Sequence, residues 1–114
     1  MNLIIWHNPR CSKSRQTLAL LEDKGHTPQV RRYLDDAPSE TELRNAAATL
    51  GVAPIDMMRT GEAEFKTEGL NRDSDDDTLF AAMARIPKLI ERPIVFSNDK
   101  AAIGRPPESV LTIL

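Results

Sequence analysis

The segment His7-Asn8-Pro9-Arg10-Cys11-Ser12-Lys13-Ser14-Arg15 holds the only cysteine of these residues, directly after an apolar run and directly before a helical one. The first turn of a helix presents N–H groups without intrahelical acceptors and a partial positive charge, and both favour an anion. His7, Arg10, Lys13 and Arg15 crowd charged or chargeable side chains into the same stretch. A thiol in such surroundings ionises well below its free value of about 8.5 and becomes a nucleophile. The competing expectation for a lone cysteine is a small buried apolar residue; the helix start and the flanking charges favour the reactive thiol.

A second chemical feature lies near the other end. Ile94–Ser97 and Lys100–Ile103 read as strands around Asn98-Asp99, a two-residue hairpin turn. That turn pairs Ser97 with Lys100 and Ile94 with Ile103, and the register continues to place Arg92 opposite Arg105. Both arginines precede a proline, Pro93 and Pro106, which favours extended backbone at each. Like charges facing one another are unfavourable unless an anion lies between them. Two ordinary exposed arginines are the equal alternative.

Metal chemistry finds less support. Asp73-Ser74-Asp75-Asp76-Asp77 suggests a calcium loop, but Thr78 and Ala84 stand where an EF-hand needs Gly at its sixth and Glu at its twelfth position. The acidic run reads instead as the cap of a helix whose dipole it complements. No metal site is predicted.

The elements that must position Cys11 and the arginines follow from periodicity. Leu3-Ile4-Ile5-Trp6 reads as a buried strand, followed by a loop over His7–Arg10 and a helix from about Ser12 to Lys24. Leu18 and Leu21 form its core stripe and Gly25 its stop, with His26 beyond it at the surface. Pro28–Tyr33 reads as a second strand with solvated arginines. Ser39 and Glu42 form a capping box for a helix bearing Leu43, Ala46, Ala47 and Leu50 and ending at Gly51. Pro54–Arg59 reads as a short helical turn stopped near Gly61, and Glu62–Arg72 as mostly irregular. A further helix carries Leu79, Phe80, Met83 and Ile86 up to Pro87. After the hairpin, Pro106 opens a terminal helix through Leu111. The front strand–helix–strand unit requires a right-handed parallel crossover, the back unit is antiparallel, and a mixed sheet with helices on its faces results.

Composition bounds the rest. The 114 residues suit one domain. Hydrophobic residues make up 40% but aromatics only 4%, so aliphatic side chains must fill the core. A formal net charge of −2 gives no case for nucleic acid or an anionic membrane, which leaves a small anion as the only target for clustered arginines. No apolar stretch approaches the ~20 residues of a membrane span. The opening Met1–Trp6 lacks the basic region and apolar length of a signal peptide. With a single free thiol, these features predict a cytoplasmic location.

His7-Asn8-Pro9-x-Cys11-Ser12-x-Ser14-Arg15, Arg59, Arg92-Pro93-Ile94-Val95 and Gly104-Arg105-Pro106 together resemble the glutaredoxin-coupled arsenate reductase family. The landmarks run from the first strand to the last helix. The resemblance implies an α/β, thioredoxin-like three-layer domain over residues 1–114, with a mixed four-stranded sheet and a helical insert over about 37–88. It implies Cys11 as nucleophile, His7 as the residue assisting thiolate formation, and Arg59, Arg92 and Arg105 as oxyanion-binding residues. Asn8, Ser14, Arg15 and Pro93 become supporting residues, with Pro93 in the cis form. Arginine forks suit a tetrahedral oxyanion through bidentate, charge-assisted hydrogen bonds.

The expected reaction is reduction of arsenate to arsenite with no bound cofactor. Position 14 is Ser and no second cysteine is present, so an external thiol must resolve a Cys11–arsenate adduct; the resemblance implies glutathione and glutaredoxin. Two other readings stand beside it. One is a glutathione-linked thiol oxidoreductase with another substrate, suggested by a chain ending at Leu114 where resistance enzymes of the family continue. The other is an Spx-type RNA polymerase-binding regulator, disfavoured because such proteins use a CxxC switch where this chain has Cys11-Ser12-Lys13-Ser14.

Overall fold

The computed structural model describes residues 2–114 and divides them into two compact units, one formed by the residues up to Asp36 with Arg92–Leu114, the other by Ala37–Glu91. In the first unit, strands β1 (Leu3–Trp6), β2 (Gln29–Arg31), β3 (Ile94–Ser97) and β4 (Lys100–Ile103) form one sheet in the order β2-β1-β3-β4. β1 runs parallel to β2 and antiparallel to β3, and β3 and β4 form the hairpin. Ile94 opposes Ile103 and Ser97 opposes Lys100, the register expected from the Asn98-Asp99 turn, in which Asn98 takes the left-handed conformation.

Alternation along the central strands sorts the faces. Leu3, Ile5 and Val95 point to one side, where they bury with Leu21 of helix α1 (Ser12–Asp23) and with Val110 and Ile113 of a terminal 3₁₀ helix, Pro107–Ile113. On the other face Trp6 lies against Phe96, with ring centroids 4.9 Å apart. Of Arg31 and Arg32, both expected to be solvated, Arg31 is not. Arg31 pairs with Asp36 at 3.3 Å and lies 5.7 Å from the centre of the Trp6 ring. β2 is also shorter than expected, pairing with β1 only over Gln29–Arg31.

Two further differences have local causes. The buried stripe of α1 is Ser14, Thr17 and Leu21, with Leu18 only partly buried, so the start of the helix turns a polar face inward. The terminal helix starts at Pro107 because a residue before proline is kept out of the helical region; Pro106 is therefore its extended N-cap.

In the second unit, helix α2 (Glu40–Leu50) opens on the Ser39/Glu42 capping box and buries Leu43, Ala46 and Ala47. A 3₁₀ turn over Pro54–Met57 leads to Met58, which pairs antiparallel with Ile90. Helix α4 (Asp76–Arg85) is capped by Asp75, which accepts from the Thr78 N–H, and buries Leu79, Phe80, Ala82 and Met83. Ile86, which precedes Pro87, leaves helical geometry and forms the C-cap.

The stretch Glu62–Arg72 is irregular except for a short helix that was not expected, α3 (Ala63–Thr67). Gly69 takes positive φ, its N–H bonds to Lys66 O, and the Leu70 N–H bonds to Phe65 O. This is a Schellman stop with its usual apolar clasp, because Phe65 and Leu70 are both buried.

Candidate active site

The loop between β1 and α1 is tied at both ends. The His7 N–H donates to Arg31 O at 2.8 Å, continuing the β1–β2 ladder. Asn8 Oδ1 accepts from the Arg10 N–H at 3.0 Å, and Asn8 O accepts from the Cys11 N–H at 3.0 Å. Arg15 Nη1 reaches back to Pro9 O at 3.0 Å. Beneath the loop, buried Ser14 Oγ accepts from the Asn8 N–H at 3.0 Å and lies 2.7 Å from His7 Nδ1. Asn8, Ser14 and Arg15 thus meet around the thiol's own loop.

Cys11 is the N-cap of α1, with its side chain nearly buried. Its Sγ closes no cap hydrogen bond of ordinary geometry, yet the N–H groups of Ser14 and Lys13 favour its anion. Burial pushes the thiol up. The Ser14 N–H, a hydrogen bond from Arg92, the Lys13 N–H and the charge of Arg92 together outweigh it, so the thiol lies below its ordinary value.

The hairpin brings in the second arginine. The Gly104 N–H donates to Pro93 O at 2.9 Å, which continues the register one step past Ile94 and Ile103, and the Arg105 side chain donates from Nε to Arg92 O at 2.9 Å. Arg105 Nη2 then lies 3.5 Å from Cys11 Sγ. Both arginines thus act on the thiol, Arg105 through Nη2 and Arg92 through a hydrogen bond that favours its anion. The Arg92–Pro93 bond is cis, as the resemblance implied, and so is Arg105–Pro106.

Gly104 entered the sequence reading only as a landmark of the resemblance, without a role, and Thr17 was not singled out. A Cβ at Gly104 would fall 2.6 Å from Thr17 Oγ1 and 2.8 Å from Pro93 Cγ. Only glycine lets the end of β4 approach α1 this closely, and Arg105 follows immediately. A glycine closing a strand before Arg-Pro was the available signal.

The structure decides the charge of His7, which the sequence left open. Burial, then the nearby Arg32 and Arg15, pushes its imidazole below its ordinary value, so it is neutral near pH 7 and adds no cation to the loop. Arg59 belongs to the other unit, where its Nε donates to Glu62 at 2.9 Å and its Nη1 to Glu91 at 3.4 Å. Among the described residues no group of three or more His, Cys, Asp or Glu side chains is placed to hold a metal ion. No helix among them is long and apolar enough to cross a membrane.

A thiol of lowered pKa at a helix N-terminus, met by two arginines beside a mixed β2-β1-β3-β4 sheet, sits on a thioredoxin-like fold. The sequence model of the ArsC family matches residues 6–113, and the chain belongs to that family. It is 51% identical to an arsenate reductase of Haemophilus influenzae over the full length of both chains. It is 47% identical to an arsenate reductase of Neisseria meningitidis, covering 96% of each. Among solved structures, an arsenate reductase from Vibrio cholerae superposes with a TM-score of 0.96 at 53% identity, covering 100% of this chain and 98% of that one.

Proposed function

We propose that this chain is an arsenate reductase in which Cys11 is the nucleophile. The observation that carries the reading is the thiol at the N-cap of α1 with Arg105 Nη2 3.5 Å from its sulfur. Arg92 and Arg105 would bind the tetrahedral oxyanion beside the sulfur and offset charge as the S–As bond forms. Arg59 is assigned as the third oxyanion arginine by its match to the family motif. His7, Asn8, Ser14, Arg15 and Pro93 hold the loop and the arginine that serve Cys11. The buried position of neutral His7 supports a role through Ser14 rather than through its own charge.

Electron counting then requires external thiols, which we take to be those of glutathione and glutaredoxin. Reducing As(V) to As(III) takes two electrons, and two thiols supply them by becoming a disulfide. Cys11 thiolate attacks arsenic and one oxygen leaves as water after taking up protons. A glutathione thiol adds to arsenic with loss of a second water. A glutaredoxin thiolate then attacks the glutathione sulfur, the S–As electron pair stays on arsenic, and glutathione departs as a mixed disulfide with glutaredoxin. Water releases arsenite and regenerates Cys11. With one cysteine in 114 residues, both oxidised sulfurs come from these external thiols. Such chemistry belongs in the reducing cytoplasm.

The test is arsenate-dependent oxidation of glutathione in the presence of glutaredoxin. Turnover by the native chain and its loss in Cys11→Ser are expected; undiminished turnover in that variant would sink the assignment.

A further inference from the structure

Within the Ala37–Glu91 unit, Met58, Arg59, Thr60, Gly61, Glu62 and Glu91 line an open pocket of about 340 Å³. Its only cationic side chain is Arg59, and two carboxylates already hold that guanidinium. The two are held differently. Glu62 accepts from Arg59 Nε at 2.9 Å, and its other oxygen lies 3.7 Å from Lys88 Nζ. Lys88 is in turn 3.3 Å from Glu64. Glu91 meets Arg59 Nη1 at a looser 3.4 Å, while Nη2 takes part in neither bond.

The backbone makes this pairing systematic. Met58 and Ile90 form an antiparallel bridge, the Arg59 N–H donates to Leu89 O at 2.8 Å, and the Glu91 N–H donates to Met57 O at 2.8 Å. Arg59 and Glu91 are therefore diagonal neighbours, a separation long side chains span. A tetrahedral oxyanion is best held by the Nη1/Nη2 edge of a guanidinium, through two parallel N–H···O bonds. An oxyanion on that edge shares Nη1 with Glu91, whereas the Glu62 bond at Nε lies off it.

We propose that Glu91 is a built-in competitor for the oxyanion at Arg59, and that Glu62 is the positioning residue that keeps Arg59 aimed into the pocket while Glu91 exchanges with substrate. The inference rests on reading Arg59 as an oxyanion arginine. Glu91 sets how strongly an anion must bind to enter, and Glu62 sets the geometry in which it is received. The two glutamates thus have opposite effects on affinity although both touch the same cation.

The experiment compares Glu91→Gln, Glu62→Gln and Arg59→Ala in two measurements. The first is KM and kcat for arsenate with glutathione and glutaredoxin. The second is calorimetric binding of sulfate, a non-reacting tetrahedral anion, to the Cys11→Ser chain carrying each change. Loss of one partly exposed ion pair corresponds to roughly 2- to 5-fold in affinity. Glu91→Gln is expected to lower KM and the sulfate Kd by about that factor with kcat little changed, Glu91→Asp to restore the native values, and Glu62→Gln to raise both KM and Kd. If Arg59→Ala leaves sulfate binding unchanged, Arg59 is not an oxyanion residue and the competitor role falls with it. If Arg59→Ala weakens binding but Glu91→Gln does not tighten it, the competitor role alone is overturned.

Discussion

Arg105 Nε donates to the backbone carbonyl of Arg92 at 2.9 Å, so the main chain of one site arginine steers the side chain of the other. The remaining fork of Arg105 is turned so that Nη2 reaches Cys11 Sγ at 3.5 Å. The hairpin ladder from Ile94–Ile103 outward is thereby converted into the placement of a cation at a thiol. Repulsion between the facing guanidinium groups is offset by a sulfur that ionises easily.

Arg105 performs two tasks with one planar group, which a lysine cannot do. Arg105→Lys keeps the charge and loses the simultaneous Nε and Nη2 bonds. A hydrogen bond to a charged group contributes about 1.5–3 kcal/mol, so kcat/KM for arsenate is expected to fall by roughly 10- to 100-fold. Steady-state kinetics of arsenate reduction, with glutathione and glutaredoxin supplied, read the effect. A change of less than about twofold would remove Arg105 from the reacting centre.

Ionisation of Cys11 gives a stability signature with a definite sign. Burial raises the thiol, but the Ser14 N–H, the Arg92 hydrogen bond, the Lys13 N–H and the Arg92 charge lower it further, so the folded value lies below the unfolded one. The contribution is fully present above the unfolded thiol value of about 8.5 and is lost as pH falls through the folded value. Thermal melts of the native chain and of Cys11→Ser should therefore diverge as pH rises through that window, then run parallel above it. Arg92→Gln should move thiolate formation to higher pH, read from ultraviolet thiolate absorbance. An unmoved absorbance midpoint would mean Arg92 does not hold the anion.

The parts legible in the sequence were those coded locally. Leu3–Trp6 is a continuous apolar run, Asn98-Asp99 dictates a hairpin register, and Ser39 with Glu42 spells a capping box; each appears as read. Helix α3 was hidden because its signal is the spacing of Phe65, Gly69 and Leu70 rather than a long periodic stripe. Around Cys11 the loop and hairpin could be inferred from charges and prolines. The packing of Gly104 on Thr17 joins residues far apart in the chain; the glycine before Arg-Pro hinted at a close approach, but nothing local named Thr17 as its partner. The charge state of His7 was left open for the same reason, since it depends on burial and on Arg32.

His7 provides a test at acid pH. Its folded value is held below the ordinary 6.5 by burial, then by Arg32 and Arg15, so below about pH 6.5 the unfolded chain takes up a proton that the folded chain resists. Stability should decline as pH falls through that window. Asn at position 7 offers a polar atom near the place of Nδ1 and does not titrate, so His7→Asn should flatten the acid limb of a Tm-against-pH curve. It should also retain more arsenate turnover than His7→Leu, which cannot bond Ser14. Equal losses in the two variants would show that the Ser14 bond is not what His7 supplies.

Gly104 joins packing to chemistry most directly. Its N–H bonds Pro93 O, and the Arg105 N–H closes a tight turn onto Ile103 O at 2.9 Å around it. A methyl group there would overlap Thr17 Oγ1 and Pro93 Cγ, both closer than real Cβ contacts allow. Forcing extra volume into such a contact costs about 1–3 kcal/mol, so Gly104→Ala should lower Tm by several degrees. If the strand end shifts to make room, Arg105 moves with it, and kcat/KM should fall together with thiol acidity. Adding Thr17→Ala removes the nearer clash but leaves Pro93, so the double variant should recover part of both losses. Recovery of Tm without recovery of thiol acidity would show that Gly104 is a packing residue with no hold on Arg105.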